Sequence, residues 1–283
     1  MINPVDLNYF IEAARSKNFS RAAEKLGITQ PALSHSIKRV EALLKLKLFI
    51  RSKRGVELSA TGQLLYREAS TLLGVWNNLL SHLEDESKNP QGMIRLGCHA
   101  VVAQYLLPKF MAQFLAKYPK INFQIEHGLS RVMAERVFSS HLDIAIVVNP
   151  IRHQDFIIKE ICNDRVSLWR HKKLRDSKLL MIEPSLKQTQ SILKKLKVKR
   201  FQVDSILESS SLEFLAQMLL SKAGYAILPE RVVDMLNSNE IEVVEDAPVF
   251  YDKICAVYKP HFRSTERGRV FTQNLLDFYK NKL

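Results

Sequence analysis

Six side chains between positions 30 and 39 recur at steps of three and four: Gln30, Pro31, Ser34, His35, Lys38 and Arg39. In a helix they share one face, polar, basic or small, of the kind that enters a major groove about 12 Å wide. Gln30 and Ser34 can both donate and accept hydrogen bonds, as base edges require, while Lys38 and Arg39 can neutralise phosphate or reach guanine. Downstream, Arg51, Lys53 and Arg54 crowd a turn at Gly55 and suit phosphate or minor-groove contact. Ser20, Arg21 and Thr29, at the starts of the neighbouring predicted helices, complete the candidate DNA-binding set. A solvated helix face carries such charges by chance, so the elements that would hold them decide the matter.

Those elements read clearly. Asn3-Pro4 is an N-cap followed by proline in the first helical position, and Leu7, Phe10, Ile11 and Ala14 then recur at helical spacing. Asn18-Phe19-Ser20 breaks the pattern, with Ser20 as the expected cap of a short helix that buries Ala22, Ala23 and Leu26 and ends at Gly27. Thr29 caps a third helix, with Pro31 in its first turn and Leu33, Ile37, Val40 and Leu44 inward. Three residues between helices two and three is helix-turn-helix spacing. Leu48 to Leu58 predicts two short strands around the basic turn, a small wing. From Ser59 to about Glu86 a long helix carries Leu65, Ala69, Leu72, Trp76, Leu79 and Leu83 at alternating steps of four and three, a heptad seam expected to pair two copies of the chain.

The polar stretch Ser87 to Gly92, with both helix breakers, is the expected hinge. Beyond it strands and helices alternate, and the apolar run Leu142 to Val148 has the texture of a strand buried on both faces. The chain has 283 residues, enough for two or three folding units, and 46% apolar residues, enough for sizeable cores. Its net charge of +13 calls for an anionic partner, and residues 1–60 carry eleven Lys and Arg against five Asp and Glu. No run approaches the roughly 18 apolar residues of a membrane span, and the N-terminus reads as a helix start, not a secretory signal. Three scattered cysteines, Cys98, Cys162 and Cys255, fit a reducing compartment. A cytoplasmic protein is expected, with no membrane partner. No glycine-rich phosphate loop, metal-spaced His/Cys/Glu group or nucleophile motif is found, so neither catalysis, a metal nor a cofactor is expected.

The stretch from Leu7 to Gly62 closely resembles the LysR-type transcriptional regulators. The resemblance rests on Leu7…Phe10, Asn18-Phe19-Ser20, Ala22-Ala23…Leu26, Gln30-Pro31-Ala32-Leu33-Ser34, Ile37, Val40-Glu41, Leu48-Phe49…Arg51, Leu58-Ser59 and Gly62. Lys45 departs from the glycine usual there, and Ser59 replaces threonine. It extends, more weakly, over Arg95-Leu96-Gly97, Leu107-Pro108, Leu142 to Ile146 and Ala223 to Pro229. It implies an α/β protein overall, with an N-terminal all-α winged helix-turn-helix domain (1–60), a linker and dimerisation helix (61–87), a hinge (88–92) and a periplasmic-binding-protein-like effector domain (93–283). The last has two α/β lobes, about 93–160 with 263–283, and about 161–262. The implied partners are double-stranded DNA at an interrupted palindrome, a small-molecule effector, further copies of the chain as homodimer or homotetramer, and RNA polymerase.

By the same resemblance the effector candidates lie where loops leave the strands: Cys98, His99, Ala100 and Val101; Gly128 and Ser130; and Ser209, Ser210 and Ser211. Cys98-His99-Ala100 stands where carboxylate-binding relatives offer hydroxyls. Cys98 has no second cysteine nearby in sequence with which to sense oxidants. Residues 170–202 carry eleven Lys and Arg against two Asp and Glu, a solvated face or a further anion-contacting surface. The competing readings are a nucleoid-type DNA binder and a two-lobed small-molecule binding protein or enzyme.

Overall fold

The computed structural model describes residues 2–52, 55–84, 90–175, 177–198 and 201–280. Three helices open the chain, α1 (Pro4–Ser16), α2 (Phe19–Leu26) and α3 (Gln30–Leu44), each started by a side-chain cap. Asn3 and Asp6 cap α1 reciprocally, with Asn3 Oδ1 accepting from the Asp6 amide at 2.8 Å. Thr29 Oγ1 accepts from the Ala32 amide at 3.3 Å and starts α3. The cap of α2 is Asn18, whose Oδ1 accepts from the Arg21 amide at 3.1 Å. Ser20 is therefore not the cap. Starting two residues earlier turns Phe19 onto Phe49, ring edge to face at 5.2 Å.

Gly27, with φ of +66°, closes α2 in the left-handed conformation that allows the tight turn into α3. Lys45 closes α3 in the same conformation, φ +55°, with its amide on Ala42 O at 3.3 Å. The helix thus ends as a glycine would end it, at a steric cost of about 1 kcal/mol. Two strands, β1 (Phe49–Ser52) and β2 (Gly55–Leu58), pair antiparallel as the wing. Glu41 pins the approach to β1 by accepting from the amides of Leu48 at 2.8 Å and Phe49 at 3.4 Å. Phe10, Leu33, Ile37, Val40 and Leu48 form the core of this unit. The long helix α4 (Ala60–Glu84) starts on Ser59, whose Oγ accepts from the Gly62 amide at 2.9 Å and donates to Lys47 O at 2.6 Å. A methyl group at Gly62 would lie 2.1 Å from Leu48 O, so only glycine lets α4 pass this close.

The rest alternates strand and helix: β3 (Gly92–Cys98), α5 (Ala100–Lys117), β4 (Ile121–His127), α6 (Ser130–Phe138), β5 (Ile144–Val148), β6 (Ile157–His171) and β7 (Leu179–Ile182). Then follow α7 (Lys187–Val198), β8 (Ser205–Glu208), α8 (Leu212–Leu220), β9 (Tyr225–Pro229), α9 (Glu230–Asp234), β10 (Ile241–Val243), β11 (Phe250–Tyr258), α10 (Pro260–Ser264) and α11 (Glu266–Lys280). The strand order is β4-β3-β5-β11-β6-β9-β7-β8, with β10 against β6. Pairing is parallel within β4-β3-β5 and within β9-β7-β8, and antiparallel where β11 and β6 join these two sets. The middle of β6, from Asn163 to Arg165, pairs with β11 alone. Here the chain crosses from one strand set to the other.

Candidate nucleic-acid interface and ligand cavity

On α3 the buried stripe (Leu33, Ser36, Ile37, Val40) leaves the opposite side free. Gln30, Pro31, His35, Lys38 and Arg39 are exposed and Ser34 is half-buried; Thr29, Ser20 and Arg21 are exposed beside them. Arg51 lies on β1, while Lys53 and Arg54 fall outside the described residues. Arg39 is not a free cation: its guanidinium pairs with buried Asp6, which also accepts from Ser36 Oγ at 2.8 Å. Burial alone would raise the Asp6 pKa, but the bonds from Ser36 and Arg39 outweigh it and hold the carboxyl below its usual range. Asp6 therefore locks α1 to α3, and Arg39 is shared between that lock and the open face. Nothing in the spacing at 30–39 signals this, because the partner lies 33 residues upstream.

The α4 seam divides. Ala69 is buried, and Leu65 packs with it in the core of the DNA-binding unit. Leu72, Trp76 and Leu79 remain exposed, with Val75 beside them; Leu83 is carried by the last turn of α4. Exposed apolar side chains in register on one helix need a partner surface. Farther round, α4 meets the sheet-bearing unit: a methyl group at Gly74 would fall 2.0 Å from Ser140 Cβ, and Tyr66 stacks on His141 with ring centroids 6.3 Å apart. Arg15 Nε donates to Tyr66 Oη at 3.4 Å, so the turn after α6 touches both α4 and, through Tyr66, α1. Burial, with Arg15, Arg136 and Arg95 nearby, pushes His141 down to about 4 and keeps it neutral.

Between the two strand sets lies a cavity of about 760 Å³, the size of a small-molecule site. His99, Val101 and Ser130 are on its wall. Cys98 is buried in the core at the end of β3, and neither it nor Ala100 is on the wall. Gly128 is off the wall because Met133 presses on it: a methyl group there would meet Met133 Cε at 2.7 Å. Ser209, Ser210 and Ser211 do not reach the cavity; Ser211 Oγ instead caps α8, accepting from the Phe214 amide at 3.1 Å. The chain turns into a helix at Ser211, and capping consumes the hydroxyl. The wall also holds Tyr105, Asn149, Asp164 and Asp252, which the loop-by-loop reading of the sequence missed. Asp164 and Asp252 come from strand interiors and meet only through the β6–β11 register, which sequence spacing does not encode.

All three cysteines are buried free thiols. Desolvation pushes Cys98 up to about 12 and Cys255 to about 11, and raises Cys162. Burial thus disfavours the thiolate, the reactive form, in all three. Among the described residues no group of His, Cys, Asp and Glu could hold a metal ion, and no helix is long and apolar enough to cross a membrane.

Sequence comparison decides which proteins share this arrangement. Residues 5–63 match the bacterial regulatory helix-turn-helix domain of the lysR family, and residues 87–280 match the LysR substrate binding domain. The chain belongs to the LysR family. It is a DNA-binding transcriptional regulator with an effector-binding domain, and the winged helix-turn-helix, linker helix and two-lobed α/β architecture are those expected. Among relatives of this LysR-type regulator, BbuR of Bordetella bronchiseptica is 27% identical over 247 residues, 81% of this chain and 75% of BbuR. A hydrogen peroxide-inducible genes activator of Haemophilus influenzae is 26% identical, covering 92% of this chain and 91% of the relative. In fold, a full-length OxyR variant from Pseudomonas aeruginosa superposes with a TM-score of 0.70 at 21% identity, over 98% of this chain and 94% of that one.

Proposed function

We propose that this LysR-type regulator acts in the cytoplasm as a twofold pair, or a pair of pairs. Each α3 lies in the major groove of one half of an interrupted palindrome near a promoter. The observation that carries this is the exposed row Gln30, Pro31, His35 and Lys38 on a helix whose other side is fully used in the core, flanked by the wing. Gln30 and Ser34 read base edges; Lys38 and Arg21 position the duplex through phosphates. Exposed Leu72, Trp76 and Leu79 supply the pairing face, and twofold symmetry of the protein requires it in the site.

The same reading assigns effector binding to the 760 Å³ cavity and supplies a route outward. Ser130 and Phe138 of α6 line the cavity, and the turn directly after Phe138 packs on α4 at Gly74 and Tyr66. An occupant that shifts α6 therefore shifts the helix that spaces the two DNA-binding units. Similarity to a peroxide-responsive relative favours a second reading, a thiol sensor, but buried cysteines held far from ionisation argue against it.

The test is a footprint of the full chain on genomic fragments, combined with sedimentation. A discrete protected site of two half-sites on one face of the duplex, lost together with the dimer in Leu72→Glu/Leu79→Glu, is the expected result. Broad coating without a preferred site would instead indicate an architectural binder.

A further inference from the structure

The floor of the cavity carries a chemistry that effector binding by itself does not specify. Asp164 on β6 and Asp252 on β11 stand directly opposite each other in the antiparallel register, so their side chains leave the same face of the sheet as close neighbours. Both are buried, at 3% exposure each, and both border the cavity. Asp164 accepts from Tyr105 Oη at 3.4 Å and from the Arg231 amide at 3.3 Å. Asp252 accepts from Asn149 Nδ2 at 2.6 Å. A carboxylate has about four acceptor sites, so the pair retains acceptor capacity toward the cavity.

Among the described residues, no Lys or Arg side chain forms an ion pair with either acid. Arg165 is taken by Glu230 at 3.5 Å, and Arg231 offers Asp164 its backbone amide and the field of its charge but no ion pair. Three exposed cations also line the cavity, Arg131, Arg152 and Lys187, the first matched to Glu135 at 3.8 Å. A second, independent group on the wall also waits for a partner. His99 Nδ1, at the start of α5, is fully buried and has no hydrogen bond. Two buried acids with no ion-pair partner among the described residues, the charge of Arg231 offsetting only part of the cost at Asp164, are an expensive arrangement unless something supplies the missing charge.

We propose that the cavity takes a small organic cation, an amine or amidinium on an apolar body, with its charged head between Asp164 and Asp252 and its body against Val101, Phe138, Val147 and Leu186. This rests on the reading of the cavity as the effector site and adds the ligand's class. A ligand carboxylate at the same place would face two acids, with only the charge of Arg231 set against them. His99, kept neutral by burial, remains as a hydrogen-bonding partner for a further polar group of the ligand. Burial raises both acids, Asp252 to about 7 with Asp164 adding to it, and Asp164 to about 6. The groups facing them are Tyr105 and His99 from α5 and Glu230 and Arg231 from α9. Cation binding draws the pair fully into the ionised form.

The experiment titrates the full chain at pH 8 with three probes of equal length: 4-phenylbutylamine, 4-phenylbutanol and 4-phenylbutyrate. A charge-assisted hydrogen bond in place of a neutral one favours the amine over the alcohol by about 10- to 100-fold, with the carboxylate weakest. Asp164→Asn and Asp252→Asn are each expected to erase that preference while still binding the alcohol, and both should melt no lower than the parent, which shows that they fold. Equal or tighter binding of the carboxylate, or an amine preference that survives both substitutions, overturns the cation assignment and leaves the cavity as an effector site of another class. Failure of all three probes to bind at millimolar concentration overturns the assignment together with the reading beneath it.

Discussion

The proposed DNA-reading face and the proposed ligand cavity are built on opposite plans. The face on α3 is local: one helix supplies Gln30, Pro31, Ser34, His35 and Lys38, and one helical period sorts outward from inward. The cavity is assembled from α5, α6, α7, β5, β6 and β11, and its two acids are 88 residues apart in sequence, since Asp164 meets Asp252. Changes on the local surface should therefore alter function without touching the fold, whereas changes at the cavity floor should alter fold stability and ligand choice together. That contrast can be broken experimentally.

The largest effect is expected on the local side. Replacing Gln30 and Lys38 together with alanine should weaken binding to the specific site by about 100-fold, since a good base contact and a phosphate contact are lost. Melting temperature should stay put, because both side chains are exposed. A fall in melting temperature matching the fall in affinity would contradict a purely local surface. Asp6 is the exception within this unit. Asp6→Ala removes the acceptor for Ser36 and Arg39 and should cost about 2–3 kcal/mol in chemical denaturation. Because its folded pKa is lowered, the stability Asp6 contributes is present above the unfolded value of 3.8 and is lost as pH falls through the folded one, a loss that Asp6→Ala should not show.

At the cavity floor the sign reverses. Asp252 has a raised pKa, so its carboxyl favours the fold below about pH 4 and loses that advantage as pH rises to about 7. Asp252→Asn should therefore stabilise the chain at pH 8 by on the order of 1–2 kcal/mol and give no gain at pH 4. A gain independent of pH would mean that the acid is not held at a cost. Smaller still, Lys45→Gly should relieve the left-handed end of α3 and raise stability by about 0.5–1 kcal/mol, read from the denaturation midpoint.

The smallest change is expected from the basic segment. Arg170, Lys173 and Lys178 are matched by Glu242, Glu240 and Asp204, and Lys195 donates to Val249 O. Neutralising Lys194, Lys195 and Lys197 should then flatten the salt dependence of DNA binding by about one unit or less. No change at all would make this stretch a solvated face only.

How much was legible follows the same division. Caps at Asn3 and Thr29, the turn at Gly27, the wing and the outward face of α3 all follow from short-range spacing, because backbone amides at helix starts and a single buried stripe are local demands. The shift of the α2 cap from Ser20 to Asn18 shows the limit: two adequate acceptors stood two residues apart, and packing of Phe19 on Phe49 decided between them. The heptad on α4 gave a uniform seam, yet the fold uses Leu65 and Ala69 inside the DNA-binding unit and leaves Leu72, Trp76 and Leu79 outside. In the second unit the loops carrying His99, Val101 and Ser130 were readable from strand ends. Ser209 to Ser211 were not readable as off the wall, because a serine before a helix is equally good as cap or ligand contact. Asp164 and Asp252 were invisible, since a strand register across 88 residues leaves no trace in spacing.

The proposal that α3 reads DNA as one of a twofold pair stands or falls on sequence selectivity. Its most direct test is selection of bound duplexes from a randomised library by the full chain and by Gln30→Ala, at moderate salt. Enrichment of a repeated, inverted half-site is expected, with Gln30→Ala relaxing the same base position in both halves. Enrichment of no sequence over the starting library, or a half-site unchanged by Gln30→Ala, would contradict it.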